Sequence, residues 1–313
     1  MRCSVILNPV AGGGRAGRRR ALLEAAFQAA GLVARWHATT APGEAVELAR
    51  AAAAVSDAVI VVGGDGTVHE AGRGIIASDA PAALGVIPCG TGNDFARALG
   101  MPRDPVAAVR VLARAVPAAV DYGRIRWHEA GTGFEAIFLN AAGVGFDATV
   151  AAAVRGVRRR GGRATYLAAV VRALRGWKAP VVRLVEGACD AAGAVWYDGP
   201  LLLVTAGNGV SSGGGIRLNP RACLDDGLLD VLAVEAAPAA RILSVLPLAL
   251  LGRHLGAREV RLHRTVACHL RSDAPLPLHA DGEVLTRKAR AVEFSVVPAG
   301  LRVLMPSSPP AEP

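Results

Sequence analysis

The chain is 313 residues long, 52% apolar and 19% charged, with a net charge of +9 and an isoelectric point near 10.1. That balance excludes intrinsic disorder and leaves enough apolar side chains for two domains of ordinary size. It gives no helical membrane span either: no uncharged apolar run reaches the roughly 18–20 residues required, and Pro247 interrupts the best candidate, Ile242–Leu251.

In chain order, Cys3–Leu7 reads as a strand, Ala16–Ala30 as an arginine-bearing helix and Val33–Ala38 as a second strand. Gly43–Ala54 is helical, Ala58–Val62 is a buried strand, Val68–Ile76 is helical and Ala83–Ile87 is a strand. This βαβαβαβ order predicts a parallel, doubly wound sheet. Beyond Asp121 the pattern changes to short apolar runs separated by Gly, Asp and Asn: Ala136–Asn140, Val181–Val185, Gly199–Ala206, Leu228–Val234 and Ala291–Val297. They predict an antiparallel β domain, interrupted by helices near Ala164–Gly176 and Pro238–Gly252. The second of these helices is expected in the core. The boundary is expected at Val120–Gly123, giving domains 1–121 and 122–305 and a disordered proline-rich tail, 306–313.

Only two lysines occur, Lys178 and Lys288, so phosphate recognition falls to arginine and to backbone amides. Five single cysteines (Cys3, Cys89, Cys189, Cys223 and Cys268) contain no CxxC pair, which argues against a zinc cluster and a disulfide framework. A glycine-leading start, with no adequate apolar stretch or cleavage site, gives no signal peptide, and a cytosolic location is expected.

Three glycine-rich segments follow strands in the first domain. Asn8–Gly17, NPVAGGGRAG, carries a GxGxxG spacing, yet the carboxylate that a dinucleotide ribose needs about 20 residues on is replaced by Arg35-Trp36-His37. Arg18-Arg19 likewise stand where a Walker A loop needs Lys-Ser/Thr. The second segment is Gly63-Gly64-Asp65-Gly66-Thr67, and the third is Gly90-Thr91-Gly92-Asn93-Asp94. Each offers glycines that let backbone N–H groups approach phosphate, a hydroxyl, and a carboxylate able to hold a divalent cation. Either could be a plain tight turn. Two of them at neighbouring strand ends of one parallel sheet would face the same crevice, where ligands of such sheets bind.

GGDGT at 63–67 and GTGND at 90–94 together resemble the diacylglycerol kinase catalytic family, in its bacterial lipid-kinase branch. The resemblance runs from NPVAGGGRAG at 8–17 through NAAGVGFDA at 140–148 and GNGVSSGGGIRLNPRACLDDGLLDV at 207–231 to LGRH at 251–254 and Asp281-Gly282-Glu283. It implies a Rossmann-like parallel-sheet N-terminal domain that binds nucleotide and a C-terminal β-sandwich that takes the lipid, with the active site between them. It implies ATP and Mg2+ as cofactors. Asp65 with Gly63, Gly64 and Gly66 would engage ATP phosphate and magnesium. Asn8, Thr39, Thr67, Gly90, Thr91, Gly92 and Asn93 would line the nucleotide, and Asp94 would support the site. Glu283 would accept the proton of the lipid hydroxyl from across the cleft. Asp226 with the carbonyls of Cys223 and Leu228 resembles a structural magnesium site, and Asp121 matches an acidic position near the cleft. Cys89 reads as packing.

The implied partner is a membrane lipid at an anionic surface, which the positive charge and the cluster Arg155, Arg158, Arg159, Arg160 and Arg163 would suit. That cluster reads equally as a solvated face. The protein is then expected to be cytoplasmic and peripherally attached to the membrane, with a homodimer as one assembly open to it. An NAD kinase also carries GGDGT on a similar fold, but the GTGNDFAR loop and the DGE triplet favour the lipid kinase. A basic nucleic-acid-binding protein is disfavoured, because aromatics are only 4% and do not interleave with the arginines.

Overall fold

The computed structural model describes residues 1–129, 131–149, 173–174, 176–188 and 193–307. The arginine cluster at 155–163 and most of the expected helix 164–176 lie outside them. Two compact units emerge, Met1–Asp121 with the chain from Pro298 on, and Tyr122–Val297.

In the first unit, β1 (Arg2–Leu7), β2 (Val33–Ala38), β3 (Ala58–Gly63) and β4 (Ala83–Pro88) form a parallel sheet in the order β2-β1-β3-β4. β3 and β4 are buried along their whole length, as continuous Val/Ile/Leu runs with both faces covered should be. The stretch expected as one helix, Ala16–Ala30, is two, α1 (Ala11–Arg18), interrupted by the left-handed Gly12, Gly13 and Gly14, and α2 (Arg20–Ala29), divided at Arg19. α3 (Glu44–Ala53) follows the left-handed Gly43. α4 (Asp65–Ile76) begins three residues before the expected start and so takes Asp65 into its first turn. α5 (Asp94–Ala98) and α6 (Pro105–Leu112) close the unit. α6 is capped by Asp104, whose carboxylate accepts the Ala107 N–H at 2.9 Å, with Pro105 at the first helical position.

The second unit is antiparallel. β5 (Val116–Glu129) runs into it from the first unit and pairs with β6 (Thr132–Phe138). β7 (Ala141–Gly145) and β8 (Val181–Glu186) lie in line between two long strands, β9 (Val195–Gly207) and β12 (Ala267–Ala280). β10 (Leu229–Glu235) and β11 (Val260–Thr265) extend the sheet beyond β9, and β13 (Glu283–Met305) forms a hairpin with β12. Phe138, Leu184, Val204, Val231, Leu270 and Phe294 are buried at its centre. From Pro298 on, β13 belongs to the first unit, where Val303 pairs in parallel with Leu84.

α7 (Ala239–Leu250) is not the core helix expected. Ile242 and Leu246 pack on Phe146, Leu202 and Leu203, but only Ala249 is buried and Leu248, Leu250 and Leu251 are exposed. Among the described residues no helix is long and apolar enough to cross a membrane.

Candidate active site

In a parallel sheet every strand delivers its carboxyl end to the same edge. β1, β2, β3 and β4 there release Asn8, Thr39, Gly64 and Cys89. Backbone bonds lock these exits together: Asn8 N–H donates to the Val62 carbonyl at 3.0 Å, Thr39 N–H to Leu7 at 2.9 Å and Cys89 N–H to Gly63 at 2.8 Å. The strand order reverses direction between β1 and β3, the position at which open α/β sheets hold ligands.

The loops after β1, β3 and β4 pack on one another at backbone distance. Gly64 and Gly90 cross so closely that a Cβ on Gly90 would collide with the Gly64 Cα, and a Cβ on Gly12 would collide with the Cys89 carbonyl. Asn8 Nδ2 donates to the buried Thr67 hydroxyl at 2.9 Å. Asn93, left-handed at φ 54°, folds its side chain back so that Oδ1 accepts the Gly90 N–H at 2.8 Å and Nδ2 donates to the Gly90 carbonyl at 3.1 Å. Arg15 donates to the Gly12 carbonyl at 3.0 Å and to that of Gly90 at 3.4 Å. Thr91 is exposed, and Gly92 is buried with its carbonyl taken by Arg97 at 3.0 Å.

Asp65 joins the second loop to the third. Its Oδ1 accepts the N–H groups of Asp94 at 2.6 Å and Phe95 at 3.2 Å. Burial, then the charge of Asp94, pushes its carboxyl above the usual range, against the pull of the amides of Phe95, Asp94 and Asn93. Asp94 is buried and accepts from Arg97 at 2.6 Å. The first-turn N–H groups of α4 have no carbonyl partner inside the helix and carry the positive end of its dipole. Gly66 sits among them with open space where a Cβ would be. Amides, glycines and the guanidinium of Arg15 suit a polyphosphate, and a carboxylate held in a polar turn suits a divalent cation beside it.

The second unit holds Glu283. Asp281 and Gly282, at φ 45° and 80°, make the two-residue turn between β12 and β13 that opposed Ala280 and Glu283 require. The Asp281 carboxylate accepts three backbone N–H groups, Leu139 at 2.7 Å, Asn140 at 2.8 Å and Ala141 at 3.1 Å. Glu283, next along, is exposed. Asp281 is therefore the anchor of the triplet and Glu283 its free end.

At the third group of site residues, Asp226 Oδ1 accepts the Leu228 N–H at 3.0 Å and Oδ2 is paired with Arg264. Arg264 also donates to the buried Asp230 at 3.0 Å, which stands opposite it in the β10–β11 register. The Cys223 thiol donates to Asp225 at 3.0 Å. Among the described residues no three His, Cys, Asp or Glu side chains group as metal ligands. A cation there would draw on the Asp226 carboxylate, shared with Arg264, and on the carbonyls of Cys223 and Leu228. Asp121 is buried and accepts the N–H of the left-handed Ala299 at 2.8 Å, a fastening of the returning chain. Residue reasoning passed over Arg15, Asp147 and His279; a histidine two places before an Asp-Gly turn was the readable sign of the last.

Residues 2–125 match the model of the diacylglycerol kinase catalytic domain, and residues 140–305 match that of the YegS C-terminal NAD kinase beta sandwich-like domain. Over 260 residues the chain is 35% identical to a diacylglycerol kinase of Mycobacterium tuberculosis (strain ATCC 25618 / H37Rv), covering 83% of this chain and 80% of that one. It is 31% identical over 286 residues to a diacylglycerol kinase of Bacillus subtilis (strain 168), covering 90% and 89%. A solved structure from Bacillus anthracis str. Sterne shares the fold, with a TM-score of 0.75 over 97% of this chain and 96% of that one at 23% identity. The chain belongs to the diacylglycerol kinase catalytic-domain family, with the C-terminal β-sandwich-like domain of its YegS-type lipid kinase relatives.

Proposed function

We propose that the chain transfers the γ-phosphate of ATP to a hydroxyl group of a membrane lipid of the diacylglycerol type. The observation that carries this is Asp65, which begins a glycine-flanked helix and is held by the amides of the neighbouring glycine loop. The arrangement couples two phosphate-cradling turns to one carboxylate, as phosphoryl transfer requires. In this reading the first-turn amides of α4 and the guanidinium of Arg15 receive the phosphates. Asp65 would hold magnesium through its carboxylate, and the ion would supply positive charge to neutralise the phosphates. Glu283, exposed beside an anchored turn, takes the proton of the attacking hydroxyl. The net charge of +9 draws the protein to an anionic bilayer surface, and an open recess of mixed polarity, about 340 Å³ in volume, offers Leu174, Trp177 and Leu202 to an acyl chain.

The test is incubation with γ-labelled Mg-ATP, a total lipid extract and NAD, followed by organic extraction and mass spectrometry of the labelled product. Label in the organic phase, lost in Glu283→Ala at an unchanged melting temperature, is the expected result. Label left on NAD in the aqueous phase would replace this reading with that of an NAD kinase.

A further inference from the structure

The second unit contains a buried ion-pairable couple that the transfer chemistry above leaves unused. His279 Nε2 lies 3.0 Å from Asp147 Oδ2, and both side chains are nearly closed off from solvent, at 7% and 12%. His279 stands near the end of β12, and Asp147 lies just beyond β7. Room for the couple exists because β7 places Gly143 directly opposite His279; a Cβ at Gly143 would collide with Asp147 Oδ2 and lie 2.5 Å from His279 Nε2. Asp147 spends its other oxygen on the Ala148 N–H at 2.7 Å.

The other ring nitrogen decides what the couple does. The Gly282 N–H donates to His279 Nδ1 at 3.2 Å. A backbone amide can only donate, so Nδ1 must be the acceptor and the imidazole proton must sit on Nε2, where it is given to Asp147. One bond at each end then fixes tautomer and ring orientation together. Gly282 is the residue immediately before Glu283. The turn is thus held on two sides: Asp281 by the amides of residues 139–141, Gly282 by the imidazole.

We propose that Asp147 and His279 form a positioning couple that sets the hairpin turn carrying Glu283, His279 bracing Gly282 and Asp147 fixing the tautomer that lets it do so. The purpose rests on the reading of Glu283 as proton acceptor; the bonding does not. The couple touches no substrate. A carboxylate that must reach a hydroxyl within about 2.6–3.2 Å gains from a turn that cannot pivot.

Two substitutions divide the roles of the ring. Asn places Oδ1 where Nδ1 stands, keeping an acceptor for Gly282, whereas Gln reaches towards Asp147 but offers nothing at the δ position. In the full chain, assayed below each variant's melting midpoint with Mg-ATP and whichever lipid the labelling experiment returns, His279→Gln is expected to lower kcat by about 10–100-fold with KM for ATP unchanged. His279→Asn is expected to stay within about threefold of wild type. In long-range 1H–15N spectra of wild type, the ring should be the neutral Nε2-protonated tautomer. Wild-type kcat in His279→Gln, equal losses in both variants, or a proton found on Nδ1 overturns the proposal. A wild-type chain that labels no lipid instead overturns the kinase reading, and the nitrogen spectra then judge the bonding separately.

Discussion

Asp65 shows how a single residue can favour function over stability. Burial and the Asp94 charge raise its carboxyl above the usual range. A carboxyl whose folded value exceeds the unfolded one, about 3.9, is held protonated more tightly by the native state. The stability this contributes is present in acid and is lost as pH rises from the unfolded value through the folded one. At neutral pH the ionised residue is therefore a cost, offset only partly by the amides of Asp94 and Phe95. Asp65→Asn keeps an oxygen for both amides and removes the charge. It is expected to abolish phosphoryl transfer while raising the melting temperature at pH 7, by roughly 2–4 °C for each kcal/mol recovered. In acid the two proteins should converge. Scanning calorimetry across pH checks this, and a variant that melts lower than wild type at pH 7 would remove Asp65 from the group of residues strained for function. The turn holding Asp65 was legible because glycines and an acid follow a buried apolar run. Which carboxylate it would repel was not, since residues 65 and 94 meet only when β3 and β4 lie side by side.

At the scale of elements, the strands of the first unit were easy to read and the helix starts were not. Ala58–Val62 and Ala83–Ile87 are unbroken apolar runs stopped by glycine or proline, and they lie within β3 and β4. The start of α4 was missed because Asp65-Gly66 reads as a turn, whereas the helix already begins at Asp65. α6 was overlooked although Asp104-Pro105 is a cap followed by an N1 proline. β5 was overlooked although Ile125 and Trp127 alternate with Arg124 and Arg126 at the period of a half-buried strand. The loop after β1 provides the sharpest test of how these elements interlock. Gly12 and Gly13 both have positive φ, at 60° and 71°, so alanine strains either by roughly 1–2 kcal/mol. Gly13 faces open space, whereas Gly12 abuts the Cys89 carbonyl. Gly12→Ala must push the first loop off the third and is expected to cost a further 1–3 kcal/mol or so. It should also weaken binding of a non-hydrolysable ATP analogue, while Gly13→Ala leaves that affinity near wild type. Calorimetric titration of both decides the point; equal affinities would mean that the two loops do not act as one cradle.

For the whole molecule, the chain leaves the first unit at Asp121 and returns to it at Pro298. The composition shift near residue 121 made the departure readable. The return was hidden, because Val296, Val297, Leu301, Val303 and Leu304 continue one apolar pattern through a single long strand, β13. Nothing in such a pattern says that its partners change from antiparallel to parallel halfway. The consequence is that the parallel sheet gains a strand from a segment far along the chain from β1–β4. Leu301, Val303 and Leu304 are fully buried or nearly so, and Leu304 fills the space that Gly85 leaves above β4. A buried leucine cut to alanine costs about 2–5 kcal/mol. Leu304→Ala should therefore destabilise a unit whose strands β1–β4 lie more than 200 residues earlier in the chain. Amide exchange resolved by residue separates the outcomes. If β13 completes the sheet as described, exchange accelerates across Ala83–Pro88 while Leu229–Glu235 in the second unit keeps its protection. Acceleration confined to residues 298–305 would show instead that the last strand lies against a sheet already complete without it.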